Sequence, residues 1–143
     1  MNSRSAIGIT AAAAALVLAF AGMAMAAGDT PQIKQKEGIG NYLTDSKGMT
    51  LYYFKNDQRD KNSCAGPCLE KWPIYYGDQI APPRGSDAKE FGEFTRADGR
   101  KQTTFKSWPL YYFSGDKAPG DIKGQGVNDS WYAINPKRAI RCD

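Results

Sequence analysis

Cys64-Ala65-Gly66-Pro67-Cys68 is the only close pair of thiols in a 143-residue chain that has three cysteines and no histidine. Two thiols in one short loop can close a disulfide, exchange electrons with another thiol pair, or hold a soft metal. In an oxidising compartment a structural disulfide is the default, and chain entropy gives so short a loop a stabilisation of ~2 kcal/mol. The redox alternative draws on Pro67-Cys68 opening a helical turn, which lowers a thiolate pKa. The spacing argues against it, because the usual oxidoreductase pair encloses two residues and this one encloses three. A soft-metal site would need a Met or Cys142 as a further ligand. Cys142 makes the count odd, so it is free, cross-links two chains, or displaces one partner of the near pair.

Two aspartate pairs are the candidates for oxygen ligation. Asp57 with Asp60, and Asp116 with Asp121, place two carboxylates in one polar loop, as a hard cation such as calcium would require. Neither loop has the density of a calcium-binding loop, so the expectation is that Asp57 and Asp116 accept hydrogen bonds from nearby amides and brace turns. No metal is expected. Without histidine there is no Ser-His-acid or Cys-His nucleophile, no histidine-rich zinc site and no covalent haem attachment. The chain is therefore read as a non-enzyme with no cofactor.

The elements that must position these residues are written twice. Leu51-Tyr-Tyr-Phe-Lys-Asn-Asp57 returns as Leu110-Tyr-Tyr-Phe-Ser-Gly-Asp116, and Trp72 and Trp131 follow each copy at the same distance, so both landmarks are displaced by 59 positions. One shared offset argues for a duplicated structural unit. In an extended segment Tyr52 and Phe54 point to one face and Leu51 and Tyr53 to the other, with Tyr111 and Phe113 opposite Leu110 and Tyr112 in the second copy. Both faces are apolar, which suits a strand sandwiched in a core together with Trp72 and Trp131. The rival arrangement is an exposed aromatic platform that stacks on a sugar or another flat ligand.

Turn-forming clusters separate aromatic and β-branched runs throughout. Tyr42–Thr44, a turn at residues 45–48 and Met49–Phe54 read as a hairpin. Phe91–Arg96, a turn at residues 97–100 and Gln102–Lys106 read as its repeat, followed by a strand over Leu110–Phe113. Pro67 starts a short helical turn to Lys71 and Pro73 ends it; no long helical period occurs elsewhere after residue 26. The expectation is an all-β domain in which two hairpin-based tandem repeats, about 38–80 and 90–136, share one aromatic-rich core with approximate two-fold symmetry.

Met1 to Ala26 reads as a secretory signal peptide: Arg4, an apolar run from Ala11 to Phe20, and a small-x-small site at Ala24-Met25-Ala26. Residues 27–37 read as a flexible leader, and 38–143 as a single domain. No cysteine follows the cleavage site to accept a lipid, so a soluble periplasmic or secreted protein is expected, with no transmembrane helix after signal removal. The whole chain carries 19 basic and 15 acidic residues, net +4, without a continuous basic stripe, which argues against nucleic acid as a partner.

These features resemble a bacterial family of secreted proteins and lipoproteins with a repeated Tyr-x-(Phe/Trp/Tyr)-x-x-Asp motif, the secreted repeat of unknown function. The motif occurs as Tyr52-x-Phe54-x-x-Asp57 and Tyr111-x-Phe113-x-x-Asp116. The resemblance extends to Cys64, Cys68, Trp72 and Pro73, to Arg96-x-Asp98-Gly99 and Gln102, and to Pro119-Gly120-Asp121, Gly124-Gln125-Gly126 and Trp131. It implies no established catalytic activity. The expected function is an exported cell-envelope module that binds or structures an unknown envelope protein or polymer. One alternative is a thiol or metal redox accessory acting through Cys64 and Cys68. Another is carbohydrate or peptidoglycan binding through aromatic side chains.

Overall fold

The computed structural model describes residues 28–140; the signal peptide read over residues 1–26, and Cys142, lie outside the described residues. Seven short strands run in order: β1 (Gln32–Lys36), β2 (Gly40–Thr44), β3 (Tyr52–Phe54), β4 (Phe91–Thr95), β5 (Lys101–Phe105), β6 (Trp108–Pro109) and β7 (Trp131–Ala133). One helix, α1 (Cys68–Lys71), follows β3, and 3-10 turns occupy Ala88–Glu90 and Val127–Asp129. The fold is all-β with two repeats, and no helix among the described residues is long and apolar enough to cross a membrane. Almost no helix is present among the described residues: the helical turn expected near Pro67 is α1, and two polar connections tighten only into single 3-10 turns. The Asp87 side chain accepts the Lys89 N–H at the first of these.

Pairing follows the duplication. β1 and β2 form an antiparallel hairpin from Gln32↔Thr44 to Lys36↔Gly40, and β4 and β5 form another from Phe91↔Phe105 to Thr95↔Lys101. β1 and β4 are themselves 59 positions apart, so the segment read as a flexible leader is the first strand of the first repeat. Its Ile33 packs against the core through pairing with Leu43, which orders a stretch that looks polar by composition.

The first expected hairpin is only partly formed. Asp45 does make the turn, with its N–H bonded to Met49 O at 2.9 Å, and Thr44 bridges Thr50. β3 then leaves to pair antiparallel with β7, from Tyr52↔Ala133 to Phe54↔Trp131, while Tyr52 bridges Tyr111 on its other edge. A buried strand must satisfy the backbone groups of both edges, which a two-stranded hairpin cannot do.

Residues 110–113, expected as a strand, instead make isolated bridges, Tyr111↔Tyr52 and Tyr111↔Ile74, with the strand itself at Trp108–Pro109. The cause is Pro73. The segment Trp72-Pro73-Ile74 stands to Tyr111 as β7 stands to Tyr52, but proline has no N–H to donate, so one bond is missing from a ladder that keeps Tyr112 N–H to Pro73 O at 2.7 Å, Tyr75 N–H to Leu110 O at 3.0 Å and Ser114 N–H to Lys71 O at 2.8 Å. Tyr132 occupies the equivalent place in β7 and permits a full pairing.

β3 separates two clusters. On one face Tyr42, Tyr52, Cys64, Trp72, Tyr111, Trp131 and Ala133 are buried, with Phe54 and Phe113 half-buried beside them. Leu43, Leu51, Tyr75, Phe105, Leu110 and Ile134 fill the other, with Tyr53 and Tyr112 at its margin. The alternation of Tyr52 against Leu51 and Tyr53 is the period-two pattern of a strand buried on both faces.

Candidate functional site

The two motif copies lock onto each other. Tyr52 N–H donates to Tyr111 O at 2.8 Å and Tyr111 N–H to Tyr52 O at 3.0 Å, which puts the approximate two-fold axis between these residues. Each phenol then reaches across it: Tyr52 Oη donates to Asp116 Oδ2 and Tyr111 Oη to Asp57 Oδ2, both at 2.7 Å. The remaining carboxylate oxygen braces its own loop. Asp57 Oδ1 accepts the Ser63 N–H at 2.6 Å and Asp116 Oδ1 the Lys123 N–H at 2.9 Å. The loop-bracing expected of the aspartates is present, joined to a cross-repeat contact.

The aromatic rings repeat the exchange. Trp72 and Trp131 stack with centroids 3.8 Å apart, Phe54 stacks on Trp131 at 4.3 Å, and Phe113 lies on Trp72 at 4.5 Å. Tyr52 meets Trp72 edge-on and Tyr111 meets Trp131 edge-on, at 5.5 and 5.2 Å. The motif rings and the tryptophans are thus packed into each other, with no coplanar exposed platform among them.

Burial governs the electrostatics. Asp57 is 3% exposed, and desolvation pushes its carboxyl up to about 6, against the pull of hydrogen bonds from Ser63, Tyr111 and Cys64 and of the Arg96 charge. Asp116 is raised in the same direction by burial. The Tyr52 and Tyr111 phenols are driven far above their ordinary range, first by burial and then by the adjacent carboxylates. Tyr75 and Tyr112 follow the same pattern, donating to Asp29 and Asp45.

Arg96 is the partner that sequence reasoning missed. Only 3% exposed, it donates to Gln102 Oε1 at 2.6 Å and Cys64 O at 2.5 Å, and its Nε has no hydrogen-bond partner among the described residues, with Asp98 at 3.9 Å. Gln102 passes the network on to Leu110 O at 2.8 Å. Arg96 and Gln102 were visible only as members of the family pattern; neither hydrophobic periodicity nor turn chemistry marks an arginine for burial.

Cys64 and Cys68 are joined as a disulfide, with Cα atoms 5.4 Å apart. Cys64 is buried at the end of the Asp57 loop, and Cys68 opens α1 behind Pro67. In this oxidised state neither sulfur is a thiolate. Of the aspartates weighed as cation ligands, Asp57 and Asp116 are occupied as above, and Asp121 Oδ2 accepts the Lys117 and Ala118 N–H groups at 2.9 and 3.1 Å. No group of three or more His, Cys, Asp or Glu among the described residues is arranged to hold a metal.

A surface cavity of about 180 Å³ lies over the other face of the β3–β7 pair. Tyr53 and Tyr132, direct partners in the ladder with rings 6.0 Å apart, wall it with Asn41, Gln125, Asn135 and Arg138. Neither tyrosine pairing nor the amides stood out in the sequence, since Tyr53 looks like one more core aromatic and Tyr132 follows the repeated tryptophan without being repeated itself.

A family model described as a secreted repeat of unknown function matches residues 35–75 and 92–135, one match in each structural repeat and together more than half of the chain. Comparison with curated proteins finds no match, and comparison with solved structures finds none.

Proposed function

The chain belongs to the family of secreted repeats of unknown function, and from that premise we propose that it is a non-enzymatic binding module of the cell envelope, acting after export to the periplasm or beyond. The observation that carries this reading is the reciprocal use of the motif. Tyr52, Asp57, Tyr111 and Asp116 face one another in the interior, so the repeated groups that could serve as acid or base are committed to holding the halves together. What remains for contact with another molecule is the outside of a rigid core, including the tyrosine and amide cavity at β3–β7. The partner is an envelope polymer or protein. The test is co-sedimentation of the purified protein, freed of its signal, with insoluble peptidoglycan and with insoluble envelope polysaccharide. Retention on either is expected, and failure to sediment with every envelope fraction would sink the reading.

A second reading, a thiol or metal redox accessory, has one observation in its favour: the Cys64–Cys68 bridge lies beside a buried carboxyl whose affinity for protons is raised. A working exchange pair has to be reducible within the range of cellular thiol buffers, whereas structural bridges resist them. Alkylation of Cys64 and Cys68 after mild reduction, with the fold intact, is the result that would favour this second reading.

A further inference from the structure

Duplication supplies an internal comparison, because a position that serves packing in one repeat should serve packing in the other. Tyr52 and Tyr111, Phe54 and Phe113, Asp57 and Asp116, and Trp72 and Trp131 keep their contacts across the axis. Tyr53 and Tyr112 do not. Tyr112 Oη is tied to Asp45 at 2.7 Å and its ring sits edge-on to Tyr75, while Pro73 faces it across a ladder that lacks one bond. Tyr53 meets Trp108 edge-on at 5.9 Å and pairs across the ladder with Tyr132, whose Oη donates to Asp129, and the two rings form the wall of an open cavity.

Beside the tyrosines the lining is mixed, with Ile39, Ala133, Ala139 and Ile140 apolar and four polar side chains among them. Gln125 Oε1 accepts the Ala133 N–H at 2.7 Å and Asn135 Oδ1 the Lys137 N–H at 3.0 Å, which leaves the amide NH₂ of each to donate elsewhere. Asn41 adds a third amide from β2, and Arg138 stands exposed at the rim, in no ion pair among the described residues. Aromatic walls with a few convergent amides suit a ring that is apolar on its faces and hydroxylated at its edge. A guanidinium at the rim suits a carboxylate, which it can grip through two parallel hydrogen bonds. At about 180 Å³ the space takes one such ring.

We propose that the cavity formed by Tyr53, Tyr132, Asn41, Gln125, Asn135 and Arg138 binds an acidic sugar, a single pyranose unit bearing a carboxylate; this rests on the binding-module reading and gives it a ligand class. The probes are N-acetylmuramic acid and glucuronic acid, with N-acetylglucosamine as the ring without the carboxylate and acetate as the carboxylate without the ring. Titration followed by calorimetry or ligand-observed NMR is expected to show the acidic sugars binding and both controls weaker by roughly tenfold, the scale of a lost charge-assisted contact. Arg138→Gln and Asn41→Asp should each weaken the acidic sugars by roughly tenfold while leaving the melting temperature unchanged. No binding of either acidic sugar, equal binding of N-acetylglucosamine, or undiminished binding in both variants would overturn the proposal. Co-sedimentation with envelope polymer that persists alongside any of these results would leave the binding module standing and move its contact surface elsewhere. Loss of co-sedimentation in the unaltered protein fails the module itself.

Discussion

Trp72 and Trp131 lie face to face, with ring centroids 3.8 Å apart and planes within 2° of parallel. With Phe54 and Phe113 they make a column in the order Phe54, Trp131, Trp72, Phe113, so the rings alternate between the repeats. Neither repeat can complete it alone. Trp72→Ala and Trp131→Ala should each lose roughly 3–5 kcal/mol by truncating a large buried ring. The double variant should lose less than the sum, because the second truncation removes contacts already gone. Equilibrium urea unfolding of the four proteins checks this, and strict additivity would mean that the column is not a unit.

The Tyr111 to Asp57 bond makes its own prediction. Tyr111→Phe keeps the ring and its packing but takes a donor from a buried carboxylate, at a cost of roughly 1–3 kcal/mol. Tyr52→Phe should act alike through Asp116, buffered by the more exposed setting of that carboxylate. A double-mutant cycle of Tyr111→Phe with Asp57→Asn should show a coupling on the order of 1 kcal/mol. A cycle of Tyr111→Phe with Asp116→Asn should not, and equal coupling in both would contradict the cross-repeat assignment.

Much of this arrangement was legible, and the illegible part has a consistent cause. The offset of 59 positions identifies Tyr52 with Tyr111 and Asp57 with Asp116 as equivalent, but equivalence does not say whether a tyrosine meets the aspartate of its own copy or of the other. That choice is made by the antiparallel approach of Tyr52 and Tyr111 at the axis. β1 went unread because Gln-Ile-Lys-Gln-Lys offers one apolar residue in five, although the same offset from β4 already places a strand there. Pro73 against Tyr132 decides which of two equivalent segments completes a ladder, a missing N–H that could be read in advance once the repeat was aligned. Burial of Arg96 depends on Gln102 and on the Cys64 carbonyl, which come together only in the fold.

Asp57 sets a pH dependence. Its folded-state pKa, about 6, is above the ordinary aspartate value, so the native state holds the proton more tightly than the unfolded chain. The contribution of this group is therefore fully present below the unfolded value, about pH 4, and is lost as pH rises through about 6. Between pH 4 and 7 the wild-type protein should lose up to roughly 3 kcal/mol relative to Asp57→Asn, which carries no titrating group there. Asp98 and Asp121, both lowered by their hydrogen bonds, act in the opposite sense and are common to both proteins, so they cancel in the comparison. Denaturant unfolding of the pair at several pH values is the measurement; a constant difference across the window would show that Asp57 does not carry the effect.

Gly124 lies where the second repeat closes over the lock, and its N–H donates to Tyr52 Oη at 3.1 Å. A methyl group there would stand 2.8 Å from two carbons of the Tyr52 ring and 2.9 Å from the Trp72 ring. Neither ring can yield, since Tyr52 is held by Asp116 and Trp72 by the stack with Trp131. Overpacking of this kind costs roughly 1–3 kcal/mol, and displacement of Tyr52 would add the loss of its hydrogen bond to Asp116. Gly126, two residues on, is the control. It has a φ of +77° and open space around its Cα, so alanine there pays only for backbone strain, about 1–2 kcal/mol. Thermal and urea unfolding should therefore rank Gly124→Ala below Gly126→Ala in stability. Only Gly124→Ala should weaken the Tyr52 coupling to Asp116 in a double-mutant cycle. The reverse ranking would mean that the close approach of this loop to the motif is not what holds the second repeat in place.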